Sequence, residues 1–328
     1  MTNPASPIEI EPLKAGEAEQ DAKALFQSIS NNARWCARER SAGAPTVHHR
    51  LKEKRMRTLN RWNIGGLALT LALCAPTLAS AQDQECGDVA ALVRQAYPGS
   101  VAEGERGLRT GNRTLTLPSP SSINPHAMFC RRWRGQPGLV LVAVPLIAEV
   151  HVDGTSGDLE VLVVDEATGT PRQRLRLPHA MDDDAIRLSA VSFDTAPYRL
   201  GPDRLAFGVK RHWAGSSRPN PFSETTLSLY EVRNGAISLV LNNLVVYRSV
   251  GEWDLSCAGN TVATERILRM IPGQHGQDIS LLERTTRSTS KEIKNGECAT
   301  TDRPEPPRTI RLPFDGERYD VPRLLRRD

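Results

Sequence analysis

Between His212 and Glu224 the chain reads HWAGSSRPNPFSE. Trp213 and Phe222 supply flat apolar rings for stacking, and Arg218 supplies a guanidinium that suits a carboxylate or phosphate. The segment is long for a connection between two strands, and long connections are disproportionately functional. A structural role competes with that reading. The two rings can fold inward to cap a sheet while Pro219 and Pro221 stiffen the turn. Ser216 and Ser217 lack the G-x-S-x-G elbow and its strand-to-helix setting, and proximity of His212 in sequence does not make a triad.

A second cluster is Glu252-Trp253-Asp254. Residues two apart on a strand share a face, about 6–7 Å from each other. Paired acids beside an aromatic ring are what glycoside hydrolysis requires, and the ring alone makes a sugar platform. A packed tryptophan between two solvated acids is the structural alternative. The ligand-binding candidates are therefore Trp213, Arg218, Phe222, Glu252, Trp253 and Asp254, with no residue assigned as catalytic.

Metal chemistry finds little footing. Asp182-Asp183-Asp184 follows His179, but a contiguous acidic triplet cannot turn every carboxylate toward one ion, so a solvated acidic turn is expected. His126, His151, His179, His212 and His275 form no H-E-x-x-H, and no C-x-x-C pair exists. No metal and no cofactor are expected. The basic end Arg323-Leu324-Leu325-Arg326-Arg327 suits an anionic membrane surface or a frayed tail.

The elements that carry these residues are mostly strands. Asp88 to Ala96 predicts a helix: Val89, Leu92, Val93 and Ala96 recur at helical spacing, Asp88 can cap, and Pro98-Gly99 ends it. Gly99 to Asn124 predicts irregular chain with one short strand at Arg113–Leu117. Leu139–Val144 is a continuous apolar run, which suggests a strand buried on both faces. Ala148–Val152 and Leu159–Val164 flank a turn at residues 153–158. Leu175 and Leu177 alternate with Arg174 and Arg176, and Asp165 to Gly169 suits a hairpin with Gly169 left-handed. Arg204–Arg211 and Thr225–Val232 follow. Asn234-Gly235 then predicts a two-residue turn that sets Val232 opposite Ile237 and Tyr230 opposite Leu239. A third unit runs through Thr264–Ile271, Asp278–Thr286 and Arg308–Leu312. Three meanders of about ten strands in all predict an all-β, sandwich-like domain, with a small or incomplete β-propeller as the alternative.

The stretch from Met56 reads MRTLNRWNIGGLALTLALCAPTLASAQDQ. Basic Arg57 and Arg61, an apolar run of about 15 residues and Ala79-Ser80-Ala81 make a secretory signal cut before Gln82. The run is short for a spanning helix, which needs about 20 apolar residues. Leu71-Ala72-Leu73 before Cys74 does not suit lipid attachment. Two readings of residues 1–55 stand: an over-extended leader preceding a true start at Met56, or a cytoplasmic extension of a signal-anchor. The expected organisation is thus a polar leader (1–55), a signal peptide (56–81), a helix with an irregular disulfide-tied segment (82–137) and an antiparallel β domain (138–328).

Removing residues 1–81 takes 11 Lys and Arg and 7 Asp and Glu from the chain's 42 and 38, leaving 31 of each. A body of zero formal charge argues against a nucleic-acid partner. Four cysteines remain: Cys86, Cys130, Cys257 and Cys298. An even number in an exported chain suggests two disulfides, with Cys86–Cys130 and Cys257–Cys298 favoured among three connectivities. The expected protein is a periplasmic or secreted binding or interaction module whose partner is an envelope protein or glycan, with no permanent membrane span after cleavage. A glycan hydrolase using Glu252 and Asp254 is the alternative.

Overall fold

A computed structural model describes residues 89–118 and 124–327. The leader, the export segment, the Asp88 cap and Cys86 lie outside the described residues. Helix α1 (Val89–Ala96) is followed by fifteen strands among the described residues: β1 (Val101–Glu103), β2 (Gly107–Thr110), β3 (Arg113–Thr116), β4 (Phe129–Arg132), β5 (Leu139–Val150), β6 (Thr155–Asp165), β7 (Pro171–Leu177), β8 (Ile186–Gly201), β9 (Arg204–Gly215), β10 (Phe222–Arg233), β11 (Ala236–Trp253), β12 (Gly259–Pro272), β13 (Gln277–Glu292), β14 (Cys298–Pro304) and β15 (Arg308–Leu312). All strand ladders are antiparallel. They form two sheets. The first runs β1-β2-β3-β5-β6-β7, with β4 beside β3 on the edge of β5. The second runs β14-β13-β12-β11-β10-β9-β8, with β15 also on β13. Neither closes into a barrel, and the propeller alternative gives way to two large sheets.

Side-chain alternation decides how the sheets are covered. Leu141, Ala143, Leu159, Val161 and Val163 of the first sheet pack against Leu188, Phe193, Phe207, Val209 and Tyr230 of the second. Val140, Val142, Val144 and Leu162 fall on the opposite side, where Leu92 and Val93 of α1, Leu115 and Met128 cover them. The continuous apolar run of β5 is therefore buried on both faces, as its sequence predicts. The other face of the second sheet buries Ala206, Leu227, Leu229, Ile279 and Leu281 under Phe314, Tyr319, Val321 and Leu325 of the C-terminal segment. Leu325 is buried and Arg327 pairs with Glu224 at 2.6 Å, so the basic end is a folded strap and not a frayed tail.

The hairpin predicted at Asn234-Gly235 has the predicted register, Val232 opposite Ile237 and Tyr230 opposite Leu239. Both turn residues have positive φ. Gly169 is left-handed as expected, and Asp165 Oδ1 accepts the Ala167 and Thr168 N–H groups in that turn. Strand counts differ in instructive ways. β5 continues through Pro145 to Val150, because the proline stands where neither β4 nor β3 is registered against it. The turn after it is only residues 151–154. β8 is sixteen residues long, yet three register shifts against β9 break its apolar alternation. β1 is exposed throughout, and β2 is half-buried with Leu108 as its one large apolar side chain, so neither carries an apolar period.

Candidate functional site

The long connection shrinks in the structure. His212 to Gly215 belong to β9, and Phe222 to Glu224 belong to β10, leaving a tip of six residues, 216–221. Ser217 Oγ accepts the Asn220 N–H at 3.2 Å within it. The tip lies along the end of β11: the Trp253 N–H donates to the Pro219 carbonyl at 2.7 Å, and the Gly251 N–H donates to the Pro221 carbonyl at 3.0 Å. Two segments far apart in sequence are thus joined by main-chain bonds. Arg218 is exposed, with no ionic or hydrogen-bonding partner among the described residues. Phe222 is half-buried opposite Val250, with the Arg248 guanidinium 5.7 Å from its ring centre.

The corner at residues 253–258 is built by Asp254. Its Oδ1 accepts the Ser256 N–H at 2.8 Å and the Ala258 N–H at 3.0 Å, while its own N–H reaches the Ala258 carbonyl. This arrangement holds Leu255 at φ 67°, a left-handed conformation that a branched aliphatic residue rarely adopts. Leu255 is 59% exposed. Cys257 closes the corner by its disulfide to Cys298 at the start of β14, with Cα atoms 5.3 Å apart. Trp253 is half-buried and lies over Gly259, where an added Cβ would stand 2.2 Å from the ring. Glu252 is exposed. Cys130 is also disulfide-bonded, and its expected partner Cys86 lies outside the described residues.

Trp213 stands apart from these residues. Only 6% exposed, it joins the inter-sheet core. The guanidinium of Arg327 lies 4.3 Å and that of Arg211 5.6 Å from its ring centre. The two arginines, Trp213 and Asn243 border a cavity of about 350 Å³ whose far rim is His179 and Asp182 to Asp184. Arg211 donates to Asn243 Oδ1 at 2.5 Å, and burial pulls its guanidinium below the ordinary value, with Arg327 adding to that effect. The acidic triplet is in part the solvated turn expected, with Asp184 exposed, Asp182 half-buried and the Asp183 side chain enclosed. Asp182 accepts the Gly157 N–H, Asp183 those of Thr155 and Leu188, and Asp184 that of Ile186, so each carboxylate pins backbone. Among the described residues no group of three or more His, Cys, Asp and Glu is arranged to hold a metal ion.

Sequence reasoning missed Leu255 and Arg211, and read Arg327 only as part of a basic end. The Asp-x-Ser spacing at Asp254 marks the turn that strains Leu255, whereas the two arginines carry no local signal because their ring partner comes from the tertiary fold. No protein-family model, curated protein or solved structure matches the chain. Among the described residues no helix is long and apolar enough to cross a membrane.

Proposed function

We propose that the chain is an exported, non-catalytic binding protein of the cell envelope, and that the joined corner of residues 216–222 and 250–256 is its contact surface. The observation that carries this reading is Leu255. A bulky side chain at positive φ costs roughly 1–2 kcal/mol, a cost that asparagine or glycine would largely avoid. The exposed Leu255 gains little from burial to offset it. Strain kept at an exposed position points to selection for something other than stability. The same corner carries the exposed Val250, the half-buried Trp253 and the unpaired Arg218, and apolar side chains with a charged neighbour are the composition of a protein contact surface.

The exposed apolar side chains of the corner are the aliphatic Leu255 and Val250, while its rings, Phe222 and Trp253, are half-buried, which favours a protein partner over a glycan because sugars stack on open ring faces. The Cys257–Cys298 disulfide supports an oxidising compartment. The hydrolase alternative draws no support here, because Asp254 Oδ1 is engaged by two N–H groups of its own turn. Replacing Arg218→Glu and Leu255→Asp together touches no buried contact. The double variant, immobilised and exposed to envelope extract, is expected to retain at least tenfold less of the component captured by the native protein. Equal capture by both contradicts the reading.

A further inference from the structure

A separate feature lies on the side of the sandwich where β4 approaches β8. There a cavity of about 590 Å³ opens between the two sheets. Arg131 comes from β4, Arg134 from the turn after it, Arg199 from β8 and Lys210 from β9. The one acid on its wall, Asp194, is already engaged: Lys210 Nζ lies 2.6 Å from its carboxylate, and the Tyr198 hydroxyl and Ala196 N–H donate to it. Burial pushes Asp194 up, but those partners outweigh it and hold the carboxyl below its usual range. Lys210 is therefore neutralised in place.

The three guanidiniums are not. Arg131, Arg134 and Arg199 have no carboxylate partner among the described residues, and Arg131 Nε is buried without any hydrogen-bond acceptor. Elsewhere in the two sheets several arginines meet carboxylates, as in Arg176 with Asp158, Arg204 with Glu231 and Arg266 with Glu283. Three like charges converging on one concavity focus a positive field there. Phe193, Ala196 and Pro197 add apolar surface to the same lining. Phe193, 4% exposed, is held in place by Phe129 with ring centres 5.1 Å apart. β8 also leaves its register with β9 between Asp194 and Tyr198, so the wall at Ala196 and Pro197 is free of ladder pairing.

We propose that this inter-sheet cavity binds a small organic polyanion, a phosphate ester or a polycarboxylate, whose oxyanions take Arg131, Arg134 and Arg199 and whose body rests on Phe193. Guanidinium forks match both oxyanion types, and the volume falls in the range of small-molecule sites. This site goes beyond the contact corner and does not depend on it.

Titration calorimetry of the full chain at fixed ionic strength, with pyrophosphate and with citrate as probes, tests the proposal. Saturable binding of one equivalent of either probe is expected, and which one binds distinguishes phosphate from carboxylate chemistry. Arg134→Ala with Arg199→Ala, both exposed, is expected to weaken that binding at least tenfold with an unchanged circular dichroism spectrum. Arg233→Ala, an exposed arginine elsewhere, is expected to leave it intact. Absence of saturable binding for both probes, or equal weakening by Arg233→Ala, overturns the site.

Discussion

Individual side chains in this protein are explained by what holds them, and His212 shows how far that reaches. Its Nδ1 lies 3.0 Å from Thr225 Oγ1 and its Nε2 3.2 Å from Ser192 Oγ. Burial first, then Lys210, lowers its pKa from 6.5, and burial lowers that of His126 likewise. Below pH 6.5 the unfolded chain therefore binds protons that the native state refuses, so stability falls as pH drops from 6.5 toward the native value. Carboxylates held low, such as Asp158 and Asp194, lose their contribution only at more acidic pH. Urea unfolding at pH 7.5 and 5.5 is expected to show a loss of stability that shrinks in His212→Gln. An identical loss in both proteins contradicts this assignment. Nothing local in the sequence marks His212 as half-buried, because Ser192 and Thr225 reach it from neighbouring strands. Arg218 was legible as an exposed group from its Pro- and Ser-rich turn, whereas the burial of Glu224 (3% exposed, paired with Arg327) depends on a residue 103 positions away.

At the scale of elements, sequence signals worked where one strand pair settles its own geometry. Helix α1, the Asn234-Gly235 hairpin and the doubly buried β5 all follow from local spacing and turn chemistry. They failed where geometry is imposed from a neighbour. β8 was invisible because its bulges break the period, and the 216–221 tip is organised by Gly251 and Trp253 of another strand. The disulfide belongs to this scale too. Cys257–Cys298 closes 41 residues of separation and ties the strained corner to β14. On the chain-entropy model such a loop contributes roughly 4 kcal/mol. Replacing both cysteines by serine is expected to lower the unfolding free energy by about that amount while the two sheets remain. Unchanged stability in chemical denaturation contradicts a structural role for the bond.

For the whole molecule, alternation predicted the all-β sandwich, but not how its second sheet is covered. That cover is the C-terminal strap, which inserts Phe314, Tyr319, Val321 and Leu325. Asp278 clamps its start by accepting the Phe314 N–H at 2.8 Å. Burying each such side chain contributes about 1.5–3 kcal/mol. Four together approach the roughly 5–15 kcal/mol by which folded domains are stable. A chain ending at Pro313 is therefore expected to lose cooperative unfolding, and a sharp transition at the native midpoint contradicts the strap's role. The central claim is that the molecule keeps strain at its exposed corner for the sake of a partner. Leu255→Asn tests it most directly, through the midpoint of thermal unfolding and capture of the envelope component measured on the same preparation. The account predicts stability higher by about 1 kcal/mol, with capture reduced at least fivefold. A stabilised variant that captures as well as the native protein contradicts it.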